Sequence, residues 1–393
     1  MKKVFLFSLF LVLGLVLSQC LPVWLGEAFL TAEKVAKTLM FVCLAFIMIN
    51  VGREFELDKT KWRSYAADYF IAMATAAVPW IMVAFYYMFL LPADLFGNWD
   101  AWKENLLLSR FAAPTSAGIL FTIRSAGGLL RELIYKKTQV LAIFDDLDTI
   151  LLMIPLQIFM IGFKWQLFAV VIVITFLLVI GWKKLGTIRL SQTWKSILFY
   201  AVCIVAVTES IYLLTKWMMG ADGAIHIEVL LPAFVLGMVM KTVHQHGNRD
   251  EKITGMISYL FMFLVGLSTP QFIGIDHGHR ITEAVGIIAA QPMPSWEVLV
   301  VHVIVVTLLS NLGKMFPLFF YRDRQLEERL ALSVGMFTRG EVGAGIIVIA
   351  MGYNLGGPAL IISVLSLVLN LLLTGGFVVI VKRLAQQAYG LKE

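Results

Sequence analysis

The sequence predicts an all-α polytopic membrane protein of about 12 transmembrane helices, arranged as two inverted-topology repeats with two discontinuous crossing helices. Three observations predict this fold class. Hydrophobic residues make up 60% of the 393 positions and charged residues only 15%, whereas a soluble domain is about 45–50% apolar. The apolar residues form runs that are long enough to cross a bilayer. Two of these runs, seven apart in chain order, are interrupted by proline or by glycines and charges.

The apolar runs define the transmembrane spans, which we number 1 to 12 in chain order. They lie near residues 4–22, 36–52, 66–91, 106–124, 138–162, 166–182, 196–214, 228–240, 254–272, 297–320, 330–352 and 358–381. With the N-terminus in the cytoplasm, 23 of the 32 lysines and arginines lie on the cytoplasmic side and six on the opposite side. This is the distribution of the positive-inside rule, so both termini are expected to be cytoplasmic. The net charge of +6 then reflects membrane orientation, and no nucleic-acid partner is expected.

The first span also has the outline of a secretory signal, because Lys2 and Lys3 precede an apolar run that ends in Ser18-Gln19-Cys20. We expect the span to be retained, because no soluble domain that would need export follows it. Its loss would also spoil the repeat described next.

A pair of matching strings indicates an internal repeat. Span 2 closes on Phe46-Ile47-Met48-Ile49-Asn50-Val51-Gly52 and span 9 on Phe261-Met262-Phe263-Leu264-Val265-Gly266. The two spans are seven apart, and an odd offset reverses the direction through the membrane. A duplication with this offset gives inverted halves, the architecture of many secondary transporters. Chance similarity between two apolar helices is the alternative.

The same offset pairs span 4 with span 11, the two spans whose helices are most disrupted. Span 4 contains Ala113-Pro114-Thr115-Ser116-Ala117-Gly118, and span 11 contains Thr338-Arg339-Gly340-Glu341-Val342-Gly343-Ala344-Gly345. Proline removes a backbone donor, and helices broken at corresponding places in two repeats indicate a binding site at the membrane midplane. The alternative is that proline and glycine only permit kinks or close packing.

Span 5 carries three carboxylates, Asp145, Asp146 and Asp148, in an otherwise apolar stretch. An acid near a helix centre costs roughly 2.5–3.5 kcal/mol of insertion free energy, while each Leu, Ile or Phe returns about 0.3–0.6 kcal/mol. Ionisable residues inside the membrane usually mark ion or proton pathways, although a buried ion pair that only fastens helices is the alternative. We interpret the three acids as candidate ion- and proton-binding groups.

Three cations lie inside predicted spans and away from their ends: Arg110, Lys314 and Arg339. Lys314 in span 10 is expected to pair with one of the acids, with snorkelling of its long side chain to the cytoplasmic face as the alternative. Arg339 in span 11 is expected to be mainly structural, and the same holds for Glu341. These two residues would pair with each other or with Asp68 of span 3.

No cofactor is expected. Cys20, Cys43 and Cys203 lie in apolar runs without the spacing of a disulfide framework or a zinc site. The chain has no Gly-x-x-x-x-Gly-Lys-Ser/Thr loop for nucleotide phosphates. Transport by this chain would therefore be driven by an ion gradient, and we expect a transporter and not an enzyme.

Over most of its length the sequence resembles the cation:proton antiporter superfamily of bacterial sodium/proton exchangers. The resemblance rests on the acids of span 5, the two broken spans, the lysine of span 10 and the end of span 2, namely Asp145-Asp146, Pro114-Thr115-Ser116, Arg339-Gly340-Glu341, Lys314 and Gly52-Arg53-Glu54-Phe55-Glu56-Leu57. It implies that Asp146 is the carboxylate that binds cation and proton, that Asp145 pairs with Lys314, and that Thr115 lines the site. The chain departs from the family pattern at Asp148, an additional acid, and at Ser116, where some members carry an acid.

The resemblance also implies how the spans are divided. Residues 66–162 (spans 3–5) and 297–393 (spans 10–12 and a short tail) would form a mobile core transport domain. Residues 1–65 and 163–296 would form a panel that also makes the homodimer. The expected location is the bacterial cytoplasmic membrane.

The expected function is exchange of a monovalent cation for protons by alternating access, with Na⁺ as the first candidate and net charge moved in each cycle. A carboxylate in a low-dielectric cavity must be neutralised by a proton or by a metal ion, so one site serves both ligands. Exchange of K⁺ or Li⁺ by the same fold is an alternative, as is sodium-coupled symport of an organic anion. An intramembrane aspartyl protease and a non-transporting sensor are more distant alternatives, because the chain lacks a Gly-x-Gly-Asp string and a sensor does not require paired broken helices.

Overall fold

The computed structural model describes residues 2–25, 28–53, 62–115, 133–161, 172, 175–177, 179–181, 183–184, 186–219, 229–241, 248–269, 286–322, 324–353 and 355–388. The helices with described bounds are α1 (Lys2–Leu25), α2 (Ala28–Arg53), α3 (Trp62–Phe89), α4 (Trp99–Ser109), α5 (Leu133–Ile161), α6 (Trp194–Met219), α7 (Leu230–Val239), α8 (Asn248–Leu267), α9 (Trp296–Gly313), α10 (Leu326–Gly335), α11 (Glu341–Gly352) and α12 (Gly357–Ala388). The described residues include no β-strand, only an isolated bridge between Ile188 and Met240. The prediction of an all-α protein is confirmed.

Several helices have the length and apolar composition of membrane spans. In the part of the chain that the structure describes, five segments meet both conditions: Ala32–Arg53, Ala67–Phe89, Trp194–Met218, Trp296–Phe319 and Gly357–Ala388. They correspond to predicted spans 2, 3, 7, 10 and 12. Most of predicted span 6, the second half of span 4, and His277 and His279 lie outside the described residues.

Close glycine contacts reveal the inverted repeat. Gly14 of α1 lies against Gly266 of α8, so that a Cβ atom on either would overlap the backbone of the other helix. Gly52 of α2 and Gly237 of α7 meet in the same reciprocal way. The predicted offset of seven spans makes α7 the counterpart of α1 and α8 the counterpart of α2, and exchange of the repeats then converts one of these contacts into the other. The correspondence between Gly52 and Gly266, predicted from their matching strings, is therefore confirmed by packing.

Predicted span 10 is not one continuous helix. The helix α9 ends at Gly313, and a turn leads to a short 3₁₀ helix, Phe316–Phe319. Pro317 has no N–H to donate to the carbonyl of Gly313, so the α-helical bonding pattern stops there. The interruption puts Lys314 at the carboxyl end of α9, where the partial negative charge of the helix end favours a cation.

The helix α3 packs against α4, α5 and α9, and α12 packs against α9 and α10. Between α9 and α12 the buried polar side chains pair with each other: the Thr307 and Ser366 hydroxyls lie 2.7 Å apart, and the Asn370 amide donates to Asn311 Oδ1 at 2.9 Å. Such bonds between helices add to packing where the surroundings are apolar. They hold the carboxyl half of α9, and with it Lys314, in place.

Candidate functional site

Both spans that were predicted to be discontinuous are broken. The helix α4 ends at Ser109 and continues as a 3₁₀ turn, Arg110–Ala112, into a non-helical segment at Pro114 and Thr115. In span 11, residues 336–340 separate α10 from α11. The prediction of two broken spans, made from proline in one and glycines in the other, is confirmed for these residues. Ser116 and the segment after it lie outside the described residues.

The two breaks cross and bond to each other. The Thr115 hydroxyl donates to the Met336 carbonyl at 3.1 Å, and Nη1 of Arg339 donates to the Pro114 carbonyl at 3.1 Å. A Cβ at Gly343 would lie 3.1 Å from the Phe111 carbonyl oxygen, so glycine permits a close approach here. Each broken segment thus provides a donor for a carbonyl that the other has freed from helical bonding.

Arg339 lies in the break of span 11 and bonds both to the break of span 4 and to α9. Its Nη2 atom donates to the Ser310 carbonyl at 3.1 Å, and the side chain is fully buried. A guanidinium group at these helix ends also balances their partial negative charge. The predicted alternative of an Arg339–Asp68 pair is wrong, because Asp68 accepts from the Tyr321 hydroxyl at 3.0 Å and the bonds of Arg339 go to backbone carbonyls. The Glu341 side chain is outside the described part of the structure.

Lys314 forms an ion pair with Asp145. The Lys314 Nζ atom lies 2.7 Å from Asp145 Oδ2, and neither side chain has exposed surface. Snorkelling of Lys314 to the cytoplasmic face is thereby excluded. The second carboxylate oxygen, Oδ1 of Asp145, is buried and accepts no hydrogen bond from the described residues.

The approach of α9 to α3 fixes the position of this pair. Gly313, directly before Lys314, lies so close to Pro79 of α3 that a Cβ atom would be 2.5 Å from the Pro79 Cα. The next residue of α3, Trp80, donates from its indole N–H to the Leu106 carbonyl of α4 at 2.7 Å. One stretch of α3 therefore contacts both the lysine-bearing helix and the first broken span.

Asp148 pairs with Arg110, a contact that was not predicted from the sequence. Nη2 of Arg110 lies 3.0 Å from the Asp148 backbone carbonyl and 3.4 Å from its Oδ2 atom, and both side chains are buried. The Arg110 guanidinium lies over the Trp80 ring, with Cζ 4.4 Å from the ring centroid. A signal for Arg110 was present, since it is an arginine inside an apolar run four residues before Pro114.

The structure brings together Asp145, Asp148, Lys314, Arg110, Arg339 and Thr115 around the crossing. The backbone of Asp146 is helical within α5, and its side chain lies outside the described residues. Its position in α5, next to Asp145, puts its backbone beside the buried lysine pair.

Inverted repeats, two crossed helix breaks and a buried lysine–aspartate pair define a class of membrane protein, the secondary transporters built from inverted repeats. The chain belongs to the sodium/hydrogen exchanger family: the family model described as "Sodium/hydrogen exchanger, transmembrane" matches residues 2–384. The predicted membership of the cation:proton antiporter superfamily is confirmed, and the chain is a transporter and not an enzyme.

The fold is similar to that of a solved structure, the sodium proton antiporter MjNhaP1 from Methanocaldococcus jannaschii at pH 8. The TM-score is 0.58 with 13% sequence identity, and the match covers 94% of this chain and 92% of that one. At this identity the likeness concerns the fold. Among proteins with curated functions, none matches this sequence at a significant level.

Proposed function

We propose that this protein exchanges Na⁺ for protons across the membrane, with Asp146 as the carboxylate that takes either ion. The observation that carries the proposal is the Asp145–Lys314 pair at the crossing of the two helix breaks, which gives a fully buried carboxylate a cationic partner at 2.7 Å. It leaves Oδ1 of Asp145 with free lone pairs among the described groups. A hard monovalent cation prefers such oxygen ligands.

The ligands of the cation come from three sources in this proposal. Asp146 supplies the negative charge that a cation or a proton neutralises, and Asp145 supplies its unbonded oxygen. Thr115 donates its hydroxyl proton to the Met336 carbonyl, so the lone pairs of its oxygen face away from that bond. Because the two acids are adjacent, the competition between cation and proton is assigned to the pair Asp145 and Asp146 and not to either residue alone.

The cycle moves net charge if a proton leaves the Lys314–Asp145 pair when the cation binds. Two protons would then cross for each monovalent cation. This follows from the need of a buried ammonium group to be paired or to lose its proton. Na⁺ is the first candidate, and K⁺ or Li⁺ exchange by the same site is the alternative.

Alternating access would arise from movement of the core, residues 66–162 and 297–393, against the panel, residues 1–65 and 163–296. The polar bonds between α9 and α12 and the packing of α3 on α9 support the core as one unit. The reciprocal glycine contacts support the panel helices as another. We also propose a homodimer in the bacterial cytoplasmic membrane with both termini cytoplasmic, on the basis of the charge distribution and the family.

A sodium-coupled symporter of an organic anion would need a buried, positively charged side chain whose N–H donors can bind the anion. The contacts favour exchange, because Lys314 is paired with Asp145, Arg110 with Asp148, and Arg339 with two backbone carbonyls.

The test is proton flux in vesicles that contain the purified protein, with Na⁺, Li⁺ and K⁺ added in turn. We expect Na⁺ to drive proton flux in the wild type and Asp146→Asn to abolish it without loss of folded protein. Glu209→Gln is the matched control, because it removes a half-buried acid from α6, a helix that packs against α2, α7 and α8. Flux near the wild-type rate in Asp146→Asn would contradict the role of Asp146, and absence of flux with all three cations in the wild type would contradict the function.

A further inference from the structure

We propose that Arg110 is a positioning residue that holds Asp148 as its counter-ion, and thereby keeps Asp148 out of the cation exchange that Asp146 carries out. The inference rests on the proposed function and refines its site. It concerns an acid that the sequence placed among the ion-binding candidates and an arginine that had no assigned role.

The contacts of Arg110 join three elements. The residue itself lies in the 3₁₀ turn that follows α4. Its Nη2 atom reaches both the backbone carbonyl and the carboxylate of Asp148 in α5. Its planar face lies over Trp80 of α3, whose indole N–H is held by the Leu106 carbonyl of α4. An arginine that is stacked on a ring and bonded at its edge has one geometry, which lysine does not reproduce.

The burial of the pair explains why it must stay together. Arg110 has no exposed surface and Asp148 has almost none. A buried charge without a partner is strongly unfavourable, so each group requires the other. The Nε and Nη1 atoms of Arg110 donate to no partner among the described residues. The described contacts that compensate its charge are therefore the Trp80 ring and the backbone carbonyl and carboxylate of Asp148.

The location of the pair links it to the exchange site. Asp148 is three residues after Asp145 on α5, and residues with this spacing share a helix face, with Cβ atoms about 5–6 Å apart. Arg110 is four residues before Pro114, whose carbonyl accepts from Arg339. The Arg110–Asp148 pair therefore fixes the first helix break against the acid-bearing face of α5 and adds no net charge there.

The alternative role for Asp148 is direct: its carboxylate binds the transported cation. The two roles differ in what happens when Arg110 and Asp148 are both neutralised. A counter-ion becomes dispensable when its arginine is removed, whereas a cation ligand does not.

The experiment compares apparent Na⁺ affinity in reconstituted vesicles at an alkaline pH, where protons compete weakly. We expect Asp148→Asn to weaken the affinity roughly tenfold or more, because it leaves the guanidinium of Arg110 as an uncompensated buried positive charge that repels the cation. The double variant Arg110→Gln/Asp148→Asn should recover most of that affinity. Arg110→Lys, which keeps the charge, should retain affinity near the wild type but melt at a lower temperature.

A double variant with affinity as low as Asp148→Asn would overturn the proposal and make Asp148 a ligand. An unchanged affinity in Asp148→Asn would overturn it as well. If Asp148→Asn does not fold, the affinity of the double variant relative to the wild type decides between the same two roles.

The melting temperatures test the pair independently of exchange. The double variant should melt closer to the wild type than Asp148→Asn does, whereas additive losses from the two substitutions would contradict the pairing. A wild-type protein without cation-driven proton flux would refute the proposed function, while the melting comparison would still decide the pair.

Discussion

The Lys314 Nζ atom lies 2.7 Å from Asp145 Oδ2, with both side chains fully buried between α9 and α5. Removal of one partner leaves an uncompensated buried charge, at a cost of about 3–5 kcal/mol. We therefore expect Lys314→Gln to lower the melting temperature, and Lys314→Gln/Asp145→Asn to melt closer to the wild type than the single variant. Thermal unfolding of the detergent-purified proteins measures both. Additive losses in the double variant would mean that the two residues do not stabilise each other.

The same pair predicts that exchange responds to voltage. If a proton leaves the pair when a cation binds, each cycle moves one net charge, and a charge that crosses 100 mV changes the free energy by about 2.3 kcal/mol. Vesicles with the wild-type protein and a Na⁺ gradient should develop a membrane potential, recorded with a voltage-sensitive dye. Collapse of the potential with an added ionophore is the control. Exchange at a rate that is independent of the imposed voltage would exclude a charge-moving cycle.

Thr115 is expected to affect affinity more than turnover. Thr115→Val deletes one hydroxyl and keeps the side-chain shape, and a hydrogen bond or oxygen ligand of this kind contributes about 0.5–1.5 kcal/mol. The apparent Na⁺ affinity should fall a few fold, while the maximal rate changes less. Thr208→Val is the matched control, because its hydroxyl bonds to the Val205 carbonyl within α6 and lies away from the crossing. Equal affinities in Thr115→Val and wild type would remove Thr115 from the site.

The glycine contacts between α1 and α8 predict opposite effects for the same substitution at two places in one helix. Gly266→Ala puts a Cβ atom into the backbone of α1, and such overpacking costs typically about 1–3 kcal/mol. Gly255→Ala has no atom within 4 Å of the new Cβ, and alanine favours a helix over glycine by about 1 kcal/mol. Thermal unfolding should therefore show a lower melting temperature for Gly266→Ala and an equal or higher one for Gly255→Ala. A stable Gly266→Ala variant would contradict the close packing.

Local signals in the chain were sufficient for the helical class, the repeat and the breaks. Apolar runs that are long enough to cross a bilayer indicate membrane-spanning helices by their hydropathy alone. Pro114 and the glycines around Arg339 disfavour a continuous helix whatever the tertiary structure. Both breaks could therefore be predicted from the sequence. The Val-Gly ends of spans 2 and 9 made the repeat visible in the sequence. Both ends need glycine, because Gly52 and Gly266 each lie against the backbone of another helix.

The partners of the buried charges were decided by the tertiary structure. Asp145 and Lys314 are 169 positions apart, and Arg339 reaches a carbonyl 225 positions away. The position of Lys314 inside a span predicted a pair with one of the acids, and only the family resemblance selected Asp145. The Arg110–Asp148 pair was missed and the Arg339–Asp68 alternative was wrong. A buried charge bonds to whichever opposite charge or carbonyl the helix packing brings within about 3 Å, and that packing depends on the whole set of helix faces. The sequence by itself therefore determined which charged groups need a partner inside the membrane. The packing of the helices around the two broken spans determined which partner each group has.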